Sequence, residues 1–97
     1  MEVQIKAIHF DISEKLEAFV QKKIEKLARR FDSITDVEVN LRLVKPETAM
    51  NKEAGVKVSV PNCADQFASK TADTFEEAFD LALEAIERQL EKIKGRS

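Results

Sequence analysis

The hydrophobic period of this chain changes three times, and that order of periods is its strongest constraint on fold. Val3, Ile5 and Ala7 alternate with Gln4 and Lys6, which predicts a strand over Glu2 to Ala7. His9-Phe10-Asp11-Ile12 is a connection. Leu16, Val20, Ile24, Leu27 and Phe31 then recur at helical spacing, with Ser13 as the expected N-cap. Glu14 and Glu17 suit the positive end of the dipole, so a helix is expected from about Glu14 to Phe31. Alternation returns with Val37, Val39, Leu41 and Leu43 set against Glu38, Asn40 and Arg42. Pro46 to Glu53 reads as a polar hairpin loop, and Val56, Val58 and Val60 mark a third strand. Pro61-Asn62 signals a turn, and Gln66 to Thr71 is a weaker fourth strand. Thr74-Phe75-Glu76-Glu77 fits a capping box. Phe75, Phe79, Leu83, Ile86, Leu90 and Ile93 line one face of a long final helix, with Gly95 as its expected stop.

Strand, helix, three strands, helix is the order of an α+β domain. Each strand has one apolar face and each helix one apolar stripe, so two layers bury them all, with both helices on one face of a four-stranded mixed sheet. A right-handed crossover makes the first strand parallel to the second, and the later strands should pair as antiparallel hairpins. The other sheet face, carrying Glu38, Asn40, Arg42, Lys57 and Ser59, should be wet. At 97 residues the chain suits a single domain, residues 1–97, with one modest core and no deep cleft.

Few groups here could converge for catalysis. His9 is the only histidine and Cys63 the only cysteine. A pair of them would lack an orienting third group, so a loop thiol and a surface histidine are the plainer reading. A structural zinc site needs four Cys or His ligands, which are not present. Two glycines, Gly55 and Gly95, cannot build a phosphate-cradling loop. Glu76-Glu77 fits the start of a helix dipole better than acid/base work. We therefore expect no enzyme, no cofactor, no metal and no small-molecule substrate. A single cysteine forms no intrachain disulfide and fits a reducing cytoplasm. No apolar run approaches the roughly 20 residues that span a membrane.

The charge is more informative in its placement than in its total. The formal net charge is −2, which does not advertise nucleic-acid binding. Each helical residue turns about 100°. About Val20, Lys23 and Arg30 fall on one flank of the first helix, followed by Lys26, Lys15, Lys22 and Arg29, while Glu17, Glu14 and Glu25 take the opposite flank. That helix holds six bases against three acids. About Ile86, Arg96, Lys92 and Arg88 lie on one flank of the final helix, and Glu76, Glu87, Asp80 and Glu91 on the other, with Lys94 the exception. The basic flank has the same angular sense in both helices. Acids first and bases last also complement a dipole, which accounts for much of the final helix but less of the first. A one-sided basic surface made by the two helices would be a phosphate-binding footprint. The candidate RNA-binding residues are Lys22, Lys23, Lys26, Arg29, Arg30, Arg88, Lys92 and Arg96. The strands carry few aromatics, so backbone and shape recognition is expected rather than base stacking.

Ile12-Ser13-Glu14-Lys15-Leu16 with Val20-Gln21-Lys22-Lys23-Ile24-Glu25-Lys26-Leu27 resembles the first helix of the ribosome hibernation-promoting factor and ribosome-associated inhibitor family. Ala78-Phe79-Asp80 with Ile86-Glu87-Arg88-Gln89-Leu90-Glu91-Lys92 is similar to its final helix, and Pro61-Asn62 to its turn between the third and fourth strands. The resemblance covers the whole chain. It implies a fold similar to double-stranded RNA-binding domains, and a partner in the small ribosomal subunit and its rRNA. It further implies docking in the channel where mRNA and tRNA meet, blocking translation in resting or stressed bacterial cells. Lys23, Lys26, Arg29, Arg88 and Lys92 match basic positions of the family. Thr74-Phe75-Glu76 stands where the family often has Asp-Met-Tyr, Ala85 and Glu17 stand where bases are common, and the turn after Pro61-Asn62 is about one residue longer. The chain ends just after the helix, so the additional C-terminal domain of long members is not expected. The alternative is a protein-interaction module that modulates transcription, the sigma-54 reading, supported by the acidic strip of the final helix and by Leu81 pointing off its apolar stripe.

Overall fold

A computed structural model of the protein describes residues 1–44 and 50–94, with position 94 described by its backbone alone. The elements are β1 (Glu2–Ile8), α1 (Glu14–Arg30), β2 (Asp36–Leu43), β3 (Lys52–Ser59), β4 (Gln66–Ala72) and α2 (Phe75–Lys94). The strands form one sheet in the order β1-β2-β3-β4. β1 runs parallel to β2, with Val3 beside Val37 and Ile5 beside Val39. β2–β3 and β3–β4 are antiparallel, with Val39 opposite Val56 and Val56 opposite Ala68.

Local signals decide where the helices begin. The Leu16 amide donates to Ser13 Oγ at 3.1 Å, and the Glu77 amide to Thr74 Oγ1 at 3.1 Å. Each cap satisfies an amide that has no partner inside its helix. β3 starts earlier than the sequence pattern predicts. Lys52 and Glu53 are polar, yet they continue the ladder opposite Leu43 and Arg42. Glu53 lies on the wet face and pairs with Arg42 at 3.3 Å, so its polarity suits a strand there. Positions 46–49 of the expected hairpin loop lie outside the described residues, as do Gly95 and Arg96.

The core lies between the sheet and both helices. Val37, Val39, Leu41, Val56 and Val58 from the sheet meet Val20 and Ile24 of α1 and Phe79 and Ile86 of α2. Burying one such side chain fully contributes about 1.5–3 kcal/mol. α2 approaches β3 and β4 closely, where Ala54, Ala68, Ala72, Ala78 and Ala82 keep side-chain bulk low. This also explains the weak signal of β4, whose buried residues are alanines. Phe10 stacks on Phe75 at 4.3 Å, tying the β1–α1 connection to the start of α2.

Strand directions decide the helix directions. β4 runs the same way as β1 and β2, because two antiparallel steps separate it from β2. α1 follows β1 and α2 follows β4, so both helices return the same way and lie parallel to each other.

Candidate nucleic-acid interface on the helical face

The parallel arrangement determines which charges meet. Lys23 Nζ lies 3.7 Å from Asp80 Oδ1. Arg30 Nη1 donates to Glu87 Oε2 at 3.2 Å, and Arg30 Nη2 donates to Glu91 Oε1. From Lys23 to Arg30 is two turns, and so is Asp80 to Glu87. Equal steps in the same sense are what two parallel helices require.

The structure corrects the expected one-sided surface. Both basic flanks have the same angular sense, but parallel neighbours turn opposite flanks toward each other. The basic flank of α1 therefore faces the acidic flank of α2. Lys92 falls on the far side of α2, the side on which Gln89 donates to the Phe67 carbonyl at 3.2 Å, and Arg88 lies on the outer face of α2 beside Glu84. The strand directions that make the helices parallel were readable in the sequence, but the sheet order that sets them side by side was not.

Between the helices runs a groove of about 450 Å³. Its volume is that of a small-molecule site, but most of the residues that line it are charged. Lys23 and Arg30 oppose Asp80, Glu84 and Glu87 there, above the buried Leu27 and Leu83, and Lys26 stands exposed on the rim, between the groove and the outer face of α1. The bases are also steadied by their own helix. The Lys23 ammonium sits 5.5 Å from the centre of the Phe19 ring, and the Arg30 guanidinium 5.1 Å from that of Phe31.

Lys22, Lys26 and Arg29 are exposed on the outer ridge of α1, with Lys15 two turns earlier. None of the four makes an ion pair among the described residues. Arg88 is held loosely by Glu84 at 3.6 Å, one turn back, with 73% and 61% of the two side chains exposed. Lys92 is exposed and has no ion pair among the described residues. The sequence-predicted set is thus divided. Lys22, Lys26 and Arg29 form one free basic ridge, Lys23 and Arg30 are engaged in the groove, Arg88 and Lys92 lie beyond it, and Arg96 is outside the described residues.

The sheet face has a different character. Lys6 pairs with Glu38 at 3.3 Å, Arg42 with Glu53 at 3.3 Å and Lys57 with Asp65 at 3.6 Å. Glu2 and Asp36 lie beside each other and make no ion pair among the described residues. Phe67 is 57% exposed on this face, with its ring against Gly55. Sequence reasoning missed it, although the order Gln66-Phe67-Ala68 in an alternating strand points the phenyl outward whenever the alanine is buried.

His9 and Cys63 do not meet. His9 follows the end of β1, and Cys63 follows the end of β3, which runs the opposite way, so they sit at opposite ends of the sheet. Among the described residues no group of three or more His, Cys, Asp or Glu could hold a metal ion. No helix among them is long and apolar enough to cross a membrane.

A family model described as sigma 54 modulation protein / S30EA ribosomal protein matches residues 3–97. The chain belongs to this family. It is the family that the residues of the two helices resemble. A ribosome hibernation promoting factor of Azotobacter vinelandii is 33% identical over 96 residues, covering 99% of this chain and 85% of its own length. A ribosome hibernation promotion factor of Bacillus subtilis is 32% identical over 97 residues, covering 99% of this chain and 50% of its own length. The chain thus spans most of one relative and about half of the other. Two solved structures share the fold. A ribosomal subunit interface protein from Coxiella burnetii superposes with a TM-score of 0.86 at 24% identity, covering 98% of this chain and 99% of that one. The N-terminal domain of Thermus thermophilus Protein Y does so with a TM-score of 0.78 at 19% identity, covering 96% and 99%.

Proposed function

We propose that this chain is a ribosome-associated hibernation factor. It acts as a single ribosome-binding domain, docking on the rRNA of the small subunit. The observation that carries the reading is the free basic ridge of Lys22, Lys26 and Arg29 in a chain of net charge −2. A chain that is acidic overall binds RNA only where its bases are gathered and unpaired. The ridge runs over two helical turns on one side of α1, so it can follow a line of phosphates without reading bases. Membership of the family and the names of the two relatives support the ribosome as the partner. Docking in the mRNA–tRNA channel would exclude both ligands by occupancy, which blocks translation in resting or stressed cells without any chemical step. The site would be cytoplasmic, where the ribosomes are.

The test is sedimentation of the purified protein with small ribosomal subunits through sucrose at about 50 and 200 mM salt, spanning the range in which phosphate contacts weaken strongly. Co-sedimentation that falls as salt rises is the expected result, together with inhibition of translation in a purified system. Sedimentation that ignores salt overturns the RNA-docking reading. Binding of a protein target that survives ribonuclease would favour the transcriptional alternative.

A further inference from the structure

We infer that Asp80, Glu87 and Glu91 act as an internal stand-in for phosphate, holding Lys23 and Arg30 and setting how tightly and how selectively the helical face takes RNA. The inference rests on the RNA-docking reading and names the residues that tune it.

The geometry carries the assignment. A guanidinium presents a planar fork of donors that suits carboxylate and phosphate oxygens alike. Both terminal nitrogens of Arg30 are already engaged, one by Glu87 at 3.2 Å and the other by Glu91. Lys23 is held by Asp80 at 3.7 Å. The pairs are open to water, with 52% of the Arg30 side chain and 39% of the Lys23 side chain exposed. Pairs so exposed are weak and exchange readily for another anion. A phosphate that enters the groove gains Arg30 only by displacing carboxylates, which then remain within a few ångströms of it. A phosphate on the outer ridge meets Lys22 and Arg29 with no such competition, and reaches Lys26 on the rim of the groove, where no carboxylate is paired with it among the described residues. The face therefore has a standing part and a conditional part. A flexible polyanion that settles anywhere meets the acids of α2. An ordered RNA surface can place its phosphates along the α1 ridge and avoid them.

A purely structural role is the competing account, in which these pairs only clamp the helices together. The two accounts differ in what removing the acids does to binding. The double variant E87Q/E91Q frees Arg30 and keeps the side-chain shapes. At about 0.1 M salt it should bind small ribosomal subunits roughly fivefold to tenfold tighter than the wild type, with a log–log salt slope steeper by about 0.7–0.9, the increment of one further phosphate contact. It should gain more still for poly(U), whose phosphates have no fixed arrangement. The control E2Q/D36N removes two acids from the sheet face and should leave both affinities unchanged. Adding R30Q to E87Q/E91Q should return binding to the wild-type value. Circular dichroism is the check that each variant is folded.

Three results overturn the inference while leaving the docking reading in place. They are wild-type binding that E87Q/E91Q does not tighten, an equal gain in E2Q/D36N, and a gain that R30Q does not cancel. An equal gain for subunits and poly(U) overturns the selectivity. If neither wild type nor variants bind small subunits, the docking reading itself fails and the inference falls with it.

Discussion

Neutralising the α1 ridge should change the salt dependence of ribosome binding more than it changes the protein. The variant K22Q/K26Q/R29Q removes three exposed bases and puts in a residue of similar helix propensity, so the fold should be untouched. The wild-type ridge offers Lys15, Lys22, Lys26 and Arg29 to phosphates. At about 0.7 per contact, four contacts give a log–log slope near 3, so raising salt from 50 to 200 mM should weaken binding roughly 50-fold. With Lys15 alone the slope falls to about 0.7, and the same step should cost only about two- to threefold. The assay is equilibrium binding of labelled protein to purified small subunits across a series of potassium chloride concentrations, with the slope read directly. The slope is the sharper quantity, because affinity also reflects contacts that carry no charge. A variant whose slope stays within about 0.5 of the wild-type value would show that these side chains do not meet phosphates, since the loss expected for three contacts is about 2.

Three further outcomes follow from the same geometry. R88Q/K92Q should lower that slope by less than half as much as the ridge variant, because the two bases lie across the groove and Arg88 is engaged by Glu84; an equal loss would bring the far side of α2 into the interface. Phe79 is fully buried and meets Phe19 edge-on at 6.3 Å, so F79A should destabilise the fold by about 3–5 kcal/mol in urea unfolding, and a loss under about 1 kcal/mol would contradict its place in the core. Gly55 has no positive φ, and an added Cβ would meet the Phe67 ring at an ordinary 3.5 Å. G55A should therefore stabilise the strand by about 0.5–1 kcal/mol and raise the melting midpoint by roughly 2–8 °C; a lower midpoint would mean that Phe67 cannot give way.

The layout of elements was legible because each is governed by short-range rules. The stripe from Leu16 to Phe31 needs only the helical period, and the hydroxyls of Ser13 and Thr74 need only the first turn to cap. The parallel pairing of β1 with β2 followed from the helix that crosses over between them. The boundary of β3 was not legible. Lys52 and Glu53 read as loop by composition, and only the partners across the ladder, Leu43 and Arg42, make them strand. Phe67 escaped notice for the same reason, because a strand whose buried residues are alanines has little amphipathic contrast.

The candidate interface divides along the same line. The sequence alone determined which side of each helix carries bases, since a 3.6-residue period sorts side chains around one axis whatever the neighbours are. It could not say which of those bases are free. Lys23 and Arg30 are as basic and as exposed in pattern as Lys22 and Arg29, yet two are engaged by Asp80, Glu87 and Glu91 and two are not. That difference depends on residues some sixty positions away, brought beside α1 by the sheet order and by the shared direction of the helices. Periodicity is a property of one helix, whereas neutralisation is a property of two. Only the tertiary structure could decide it, because a charge falls off over a few ångströms of space and takes no account of distance along the chain.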